Sequence, residues 1–439
     1  IIANAGTLVL RGEQATSFIK KNTKASSIAI KSGGKVQVTD SLELAFGTLK
    51  SGDTATNSAE AALVFDSGSS GTLEVADTLT INNFNTDALA IGQSGSIQAG
   101  TLALVQSGGS TATELKLGAG NFTVLNSLQA EKTVQISGSN LSLGKIVPVE
   151  GTDYNQSLTD TGSITSALDI TSGSGSVAAG SWTAQKTVTV GTNGTLTIGT
   201  KGKFDAKNEA ITASLSVTDL FKAEKGVSVN STGTLTTNNI DAASGSITLS
   251  GGAMTINGKL NDNNTATDTK DDKFGVKLAA GSIVLAKDSK LTIQGDAIKA
   301  IQTDASGNVT FIKDFDDNVT NGAITSDAGS SLHLDFAEGK LSADGLKALN
   351  TKLFGATGPN GLVYLGKAEI VGLTPDANNE VSWSGAAEKY EDYLPTYTNE
   401  ALMGAKLTNV ESRRLVYTML LLSRATTLVR STLLLVKTM

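Results

Sequence analysis

The chain has 439 residues and a formal net charge of −7, with 47 glycines but only 4 prolines, 2 tryptophans, 1 histidine and no cysteine. Disulfides, thiolate nucleophiles, zinc–thiolate sites and iron–sulfur clusters are thereby excluded, and with His333 alone so are multi-histidine metal sites. Charged residues make up 18%, below the roughly 25% of ordinary globular chains, while an apolar share of 39% can bury a core and argues against disorder.

The first ten residues, IIANAGTLVL, are strand-like and carry neither an initiator Met nor a secretory leader pattern. The chain therefore reads as a processed form or an excised piece. Residues Ile1, Ile2, Thr7 and Val9 form a strand edge with no polar or helical cap ahead of it, which makes them candidates for self-association.

From here the tripeptide Gly-(Ser/Thr)-(Leu/Ile) recurs, beginning at Gly6, Gly47, Gly71, Gly95, Gly100, Gly162, Gly194, Gly233, Gly245 and Gly281. Short alternation follows the glycine, as in Gly71-Thr-Leu-Glu-Val75 and Gly194-Thr-Leu-Thr-Ile198. Leu73 and Val75 point one way and Thr72 and Glu74 the other, the period of a strand with one buried face. The glycine is expected to supply a tight or left-handed corner before each strand.

The spacing is irregular, 24 residues from Gly47 to Gly71 but 12 from Gly233 to Gly245. The pattern predicts an all-β protein over residues 1–400, a right-handed parallel β-helix with coils of about 22 residues and variable turns. A few short helical insertions and a C-terminal helical segment complete the expected fold. No repeat of the calcium-binding nonapeptide kind is present.

Polysaccharide-cleaving β-helices need carboxylate pairs with glycine and histidine partners. Asn85-Thr86-Asp87 is followed by Ala88, and the pairs Asp271-Asp272 and Asp316-Asp317 lack the histidine. Phe65-Asp66-Ser67-Gly68-Ser69 lacks the leading glycine of a serine protease, and His333 lies downstream, in the wrong order. His333 itself alternates with Leu332 and Leu334 and reads as a solvent-facing strand residue. No enzyme is expected, and no cofactor.

Gly173 to Gly180 carries neither dinucleotide spacing nor a P-loop lysine and reads as a corner-rich loop. Lys20, Lys21 and Lys24 form a small basic patch, but the acidic balance makes nucleic acid an unsuitable partner. In the polar stretch from Asn261 to Lys273, Asp262, Asp268, Asp271 and Asp272 are weak candidates for a calcium site, with a solvated loop as the plain alternative.

Ser342 to Phe354 predicts a helix with Ser342 as N-cap, Leu346, Leu349 and Leu353 on one face, and Gly355 as the stop. Glu380 to Tyr397 gathers Trp383, Tyr390, Tyr393 and Tyr397 with Pro395, a segment expected to close the end of the solenoid. Residues 401–439 change style. Four of the five arginines, Arg413, Arg414, Arg424 and Arg430, fall in the final 27 residues. Leu415, Met419, Leu422, Val429, Leu433 and Val436 follow helical spacing. An amphipathic helix docked on the solenoid, a membrane-adjacent linker and sequence from a wrong reading frame are the alternatives. No uncharged run reaches the roughly 18 apolar residues of a spanning helix.

The Gly-(Ser/Thr)-(Leu/Ile) corners, the Ser/Thr/Asn/Gly bias and the missing cysteine resemble the passenger regions of Gram-negative autotransporter adhesins over roughly residues 1–400. The resemblance is one of style. It implies an extracellular, surface-displayed protein that mediates adhesion, self-association or biofilm formation. Its partners would be further copies of itself or glycans or proteins of host or bacterial surfaces, with an outer-membrane translocator outside this chain. Two other assemblies share the composition: an S-layer or extracellular filament subunit, and a phage tail fibre or tailspike.

Overall fold

The computed structural model describes residues 2–11, 28–44, 50–51, 63–65, 70–81, 91–105, 114–148, 155–157, 160–200, 207–258, 260–261, 273–371, 373–375 and 381–383. Strand takes up 58% of the structure and helix 9%. The chain divides into two compact units, Ile1–Asn238 with Ser244–Ile247, and Asn239–Ala243 with Thr248–Met439.

In the first unit, parallel strands follow one another in register. Residues 7–10 pair with 35–38, 35–38 with 72–75, 72–75 with 96–99 and 96–99 with 121–124. The ladder continues through 140–143, 174–177 and 195–198 to 227–229. Alternation decides which side chains face inward. In Thr72–Ile81 the residues Leu73, Val75, Leu79 and Ile81 are buried, and Thr72, Glu74 and Thr80 between them are not. Since the register is preserved, leucine, isoleucine and valine stack on their own kind from strand to strand, and each strand buries its apolar side only against its neighbours.

Several long strands carry a break partway along. Gly120–Ala130 pairs with Ser96–Leu104 through Asn121 to Val124, shifts register, and resumes at Ser127 to Ala130. Such a shift bends the strand and increases its local twist.

Volume is matched across rungs. Trp182, 1% exposed, registers with Gly162, and a Cβ added at Gly162 would lie 2.5 Å from the indole ring. The indole Nε1 donates to the carbonyl of Ala179 at 3.2 Å, so the largest buried side chain also has its polar atom satisfied.

The second unit shows the same construction. Residues 253–256, 290–293, 331–334 and 362–364 form one parallel ladder, and 283–285 pairs with 324–326. Its helix Ala343–Phe354 is capped as its sequence predicts: the Ser342 side chain accepts from the Gly345 N–H at 3.1 Å, and Gly355 closes it at φ 72°. Leu346, Leu349 and Leu353 are buried.

Several expectations need correction or bounding. Coils of about 22 residues do not describe the spacing, because hydrogen bonds between neighbouring rungs join residues 19 apart at Asn121 and Asn140, 34 at Asn140 and Ser174, and 42 at Leu278 and Thr320. Strand hydrogen bonding fixes the register, and connections of unequal length loop out between strands. Of the tight or left-handed corner expected of the tripeptide glycines, the left-handed form is not general, whereas Gly95 does close a tight turn, its N–H donating to the Gly92 carbonyl at 3.1 Å. Among the described ones only Gly281 has positive φ. Several of them instead permit close approach: a Cβ at Gly194 would sit 2.0 Å from the Ile170 carbonyl oxygen, and at Gly95 2.2 Å from that of Ile91.

Gly173 to Gly180 is mostly strand, within Leu168–Val177, and not a loop. Short helical insertions of the kind expected occur at Asp296–Lys299 and Lys313–Asn318, the latter holding the Asp316-Asp317 pair. The ends of the stretch from Asn261 to Lys273 are joined by antiparallel pairing of Leu260 with Phe274 and of Asn261 with Lys273. Val381–Trp383 pairs antiparallel with Leu373–Pro375. The rest of the aromatic segment and residues 401–439, with the boundary expected at 400, lie outside the described residues.

Candidate functional surface

The outward side chains of the first ladder form two columns. One holds Ser96, Asn121, Asn140, Ser174 and Thr195 in successive register, and the other Gln98, Thr123, Ser142, Ser176, Thr197 and Ser228. Neighbouring positions are separated by the strand spacing of about 4.8 Å, and the columns by two residues along each strand. No member carries a charge.

Hydrogen bonds fix the first column. Asn121 Nδ2 donates to the carbonyls of Gly95 at 3.2 Å and Gln93 at 3.3 Å. Asn140 Nδ2 donates to Asn121 Oδ1 at 3.0 Å, and Ser174 Oγ to Asn140 Oδ1 at 2.6 Å. Thr195 Oγ1 donates to the Gly173 carbonyl at 3.3 Å. The amides are held in one orientation from rung to rung, an order that isolated surface side chains lack.

Charge appears on either side of this array. In the two preceding rungs Lys35 Nζ pairs with Glu74 Oε1 at 2.7 Å, and Gln37 Nε2 donates to Glu74 Oε2 at 2.9 Å. Burial alone would raise the Glu74 carboxyl. The hydrogen bonds from Gln37 and Lys35, with the lysine charge, outweigh it and hold the group below its ordinary value. A different ladder, through Lys116, Gln135, Asp169, Thr189 and Lys222, is mixed in sign. There burial, with the charges of Glu114 and Glu224, raises the Asp169 carboxyl against the opposing effect of Lys222.

The residues singled out in the sequence are placed as follows. Thr7 and Val9 face outward on Thr7–Leu10, and Ile2 pairs in register with Ala29. Ile1, Asp262, Asp268, Asp271 and Asp272 lie outside the described residues, as do Asn85 to Asp87, Asp66 to Ser69 and Lys20, Lys21 and Lys24. Among the described residues no group of three or more His, Asp or Glu could hold a metal ion, and no helix is long and apolar enough to cross a membrane.

His333 projects from the outer side of its strand, half-buried, and stacks on Tyr364 with ring centroids 4.3 Å apart and planes 18° from parallel. Burial, helped by the charge of Lys290, lowers its pKa to about 4. It registers with Thr292 on one side and Tyr364 on the other.

The alternating segments predict outward ladders of Thr, Ser, Asn and Asp along one face, but the sequence does not show which residues share a column, and the two columns carry no Asp. Their signal was there in Gly120-Asn-Phe-Thr-Val124, Gly173-Ser-Gly-Ser-Val177 and Gly194-Thr-Leu-Thr-Ile198, but only the register shows that these segments lie side by side. No family model matches the chain, and no curated protein or solved structure matches it.

Proposed function

We propose that the chain is a right-handed parallel β-helix acting as a non-enzymatic adhesin, displayed outside a bacterial cell in the manner of an autotransporter passenger. Parallel strands linked by crossovers are right-handed in about 98% of cases, which supports the hand. The observation that carries the function is the uncharged, hydrogen-bonded array from Ser96 to Ser228. Each contact it offers is weak, and similar uncharged polar contacts repeated rung after rung sum by multivalency to useful affinity.

The partners in this reading are glycans or proteins of host or bacterial surfaces, or the same array on a second cell. The acidic balance of the chain turns nucleic acid away.

The test displays the chain on bacterial cells and measures autoaggregation and retention on epithelial monolayers. A triple variant, Asn121→Ala, Asn140→Ala and Ser174→Ala, removes the ordered column from a solvent-facing surface and leaves the buried columns intact. Loss of both aggregation and retention, with an unchanged far-ultraviolet circular dichroism spectrum, is the expected result. Full retention of both by the folded variant overturns the reading.

A further inference from the structure

A second outward face of the first unit is built of hydroxyls. Residues 161–164 register with 181–184, and 180–184 with 213–217. Trp182 and Leu215, 1% and 2% exposed, point inward. Thr161 and Ser163, Ser181 and Thr183, and Ser214 and Ser216 therefore point outward in two columns. A fourth rung follows. The Ala213 N–H donates to the Thr232 carbonyl at 3.0 Å, just as the Gly180 N–H, registered with Ala213, donates to that of Thr212. Thr234 and Thr236 thus take the next two places, with buried Leu235 between them. In the other direction the second column runs in register through Ser127 and Thr101 to Thr78.

This face has unused hydrogen-bonding capacity, which the Asn121 column does not. Asn121, Asn140 and Ser174 bond to one another or to the main chain. The hydroxyls of Ser181, Thr183, Ser214 and Ser216 bond to no described residue, and Thr161, Ser181 and Thr183 are exposed. Neither column carries a charge: Asp160, Lys186 and Asp219, the nearest charges along the first three segments, stand beyond them.

We propose that this face binds ice. Hydroxyls in one column are about 4.8 Å apart and the two columns about 6.7 Å, and the two repeat distances of oxygen on a prism face of ice agree with these to roughly a tenth. Threonine is stiff at χ1, and the packed side chains beneath hold the rungs in place, so the hydroxyls hold their first layer of water at the spacing of the strands. A charge would order water radially about itself, and none is present. A ladder of like side chains also favours a flat sheet, the shape that a crystal plane requires. Sites for soluble ligands are concave and mostly apolar, whereas this is an open sheet surface and wholly polar. Bound copies would pin the growing plane, so that ice advances only as curved fronts between them and freezes at a lower temperature. The inference is independent of what the array from Ser96 to Ser228 binds, and either can fail without the other.

Nanolitre osmometry on the 439-residue chain is expected to show faceted ice crystals and a freezing point below the melting point of ice. Ser181→Lys and Thr183→Lys each put a charge and a long side chain at an exposed lattice position, and each should abolish both effects while the protein melts at an unchanged temperature. Gln135→Lys, on the ladder that includes Lys116 and Asp169, is the control and should keep both. If the lysine variants fail to fold, the double variant Ser181→Ala and Thr183→Val removes two hydroxyls with little change in volume, and should narrow the gap between freezing and melting. Crystals that grow as unfaceted discs in the parent protein, effects that survive in a folded lysine variant, an unchanged gap in the double variant, or equal loss in Gln135→Lys would each overturn the proposal. Retention on crystalline cellulose without ice shaping would overturn it as well, by assigning the face to a polysaccharide.

Discussion

Lys352, 6% exposed near the end of the helix Ala343–Phe354, donates from Nζ to the main-chain carbonyl of Asp316 at 2.8 Å and to the Asp316 carboxylate, and so joins that helix to the turn Lys313–Asn318. The ammonium also lies 5.7 Å from the centroid of the Phe311 ring. One buried cation thus anchors two helical insertions and an aromatic side chain.

This arrangement sets an order of stabilities. Asp316→Ala leaves the buried ammonium with a neutral carbonyl and a ring face, and should destabilise by about 1–3 kcal/mol. Lys352→Met removes the charge together with the need to solvate it and keeps most of the volume, so its cost should be smaller. Urea unfolding of both variants checks this, and a larger loss for Lys352→Met would refute it.

Two glycines separate close approach from chain flexibility. At Gly194 a Cβ would meet the Ile170 carbonyl oxygen at 2.0 Å, a main-chain atom that cannot swing away, whereas at Gly226 nothing lies within 4 Å. Gly194→Ala should cost about 1–3 kcal/mol through backbone displacement. Gly226→Ala should be neutral or stabilise by up to ~1 kcal/mol by restricting the unfolded chain. Thermal melts of the pair at one pH measure the contrast.

His333 makes stability depend on acid. Its folded pKa, about 4, lies below the ordinary 6.5, so the unfolded chain takes up a proton first as the pH falls. The contribution is complete above pH 6.5 and is lost between 6.5 and about 4. His333→Gln, neutral at every pH, should flatten the melting temperature over that window. A slope unchanged from the parent would show that other groups cause it.

Asp169 acts in the opposite sense. A carboxyl raised by burial and by Glu114 and Glu224 binds its proton more readily in the folded state, so its ionisation at neutral pH is a penalty that disappears on acidification through the raised folded pKa. Asp169→Asn should raise the melting temperature at pH 7 and leave it unchanged below about pH 3.8, where both states are protonated. Differential scanning calorimetry at the two pH values is the measurement.

The strands and their buried sides were legible in the sequence because alternation is a local signal: Leu73, Val75, Leu196 and Ile198 are all buried as the period requires. The helix at Ala343–Phe354 was legible for the same reason, its cap and its apolar face lying within one short segment. The purpose of the corner glycines was not. The atom that forbids a side chain at Gly194 is the carbonyl of Ile170, and only the fold brings that rung alongside. The outer array was hidden likewise, since Asn121, Asn140 and Ser174 are neighbours in space at unequal distances along the chain. Lys352 and Asp316, 36 residues apart, lie in segments whose patterns carry no mark of each other.

Asn140 bonds to Asn121 across a step of 19 residues and to Ser174 across a step of 34, yet both steps bring the partner into register with it. The wall thus keeps no record of how much chain runs between its courses. Insertions and deletions in the connections can accumulate without disturbing the columns, provided each excursion returns to the same register. Such a protein can alter the loops it presents to solvent while the wall that carries them stays unchanged.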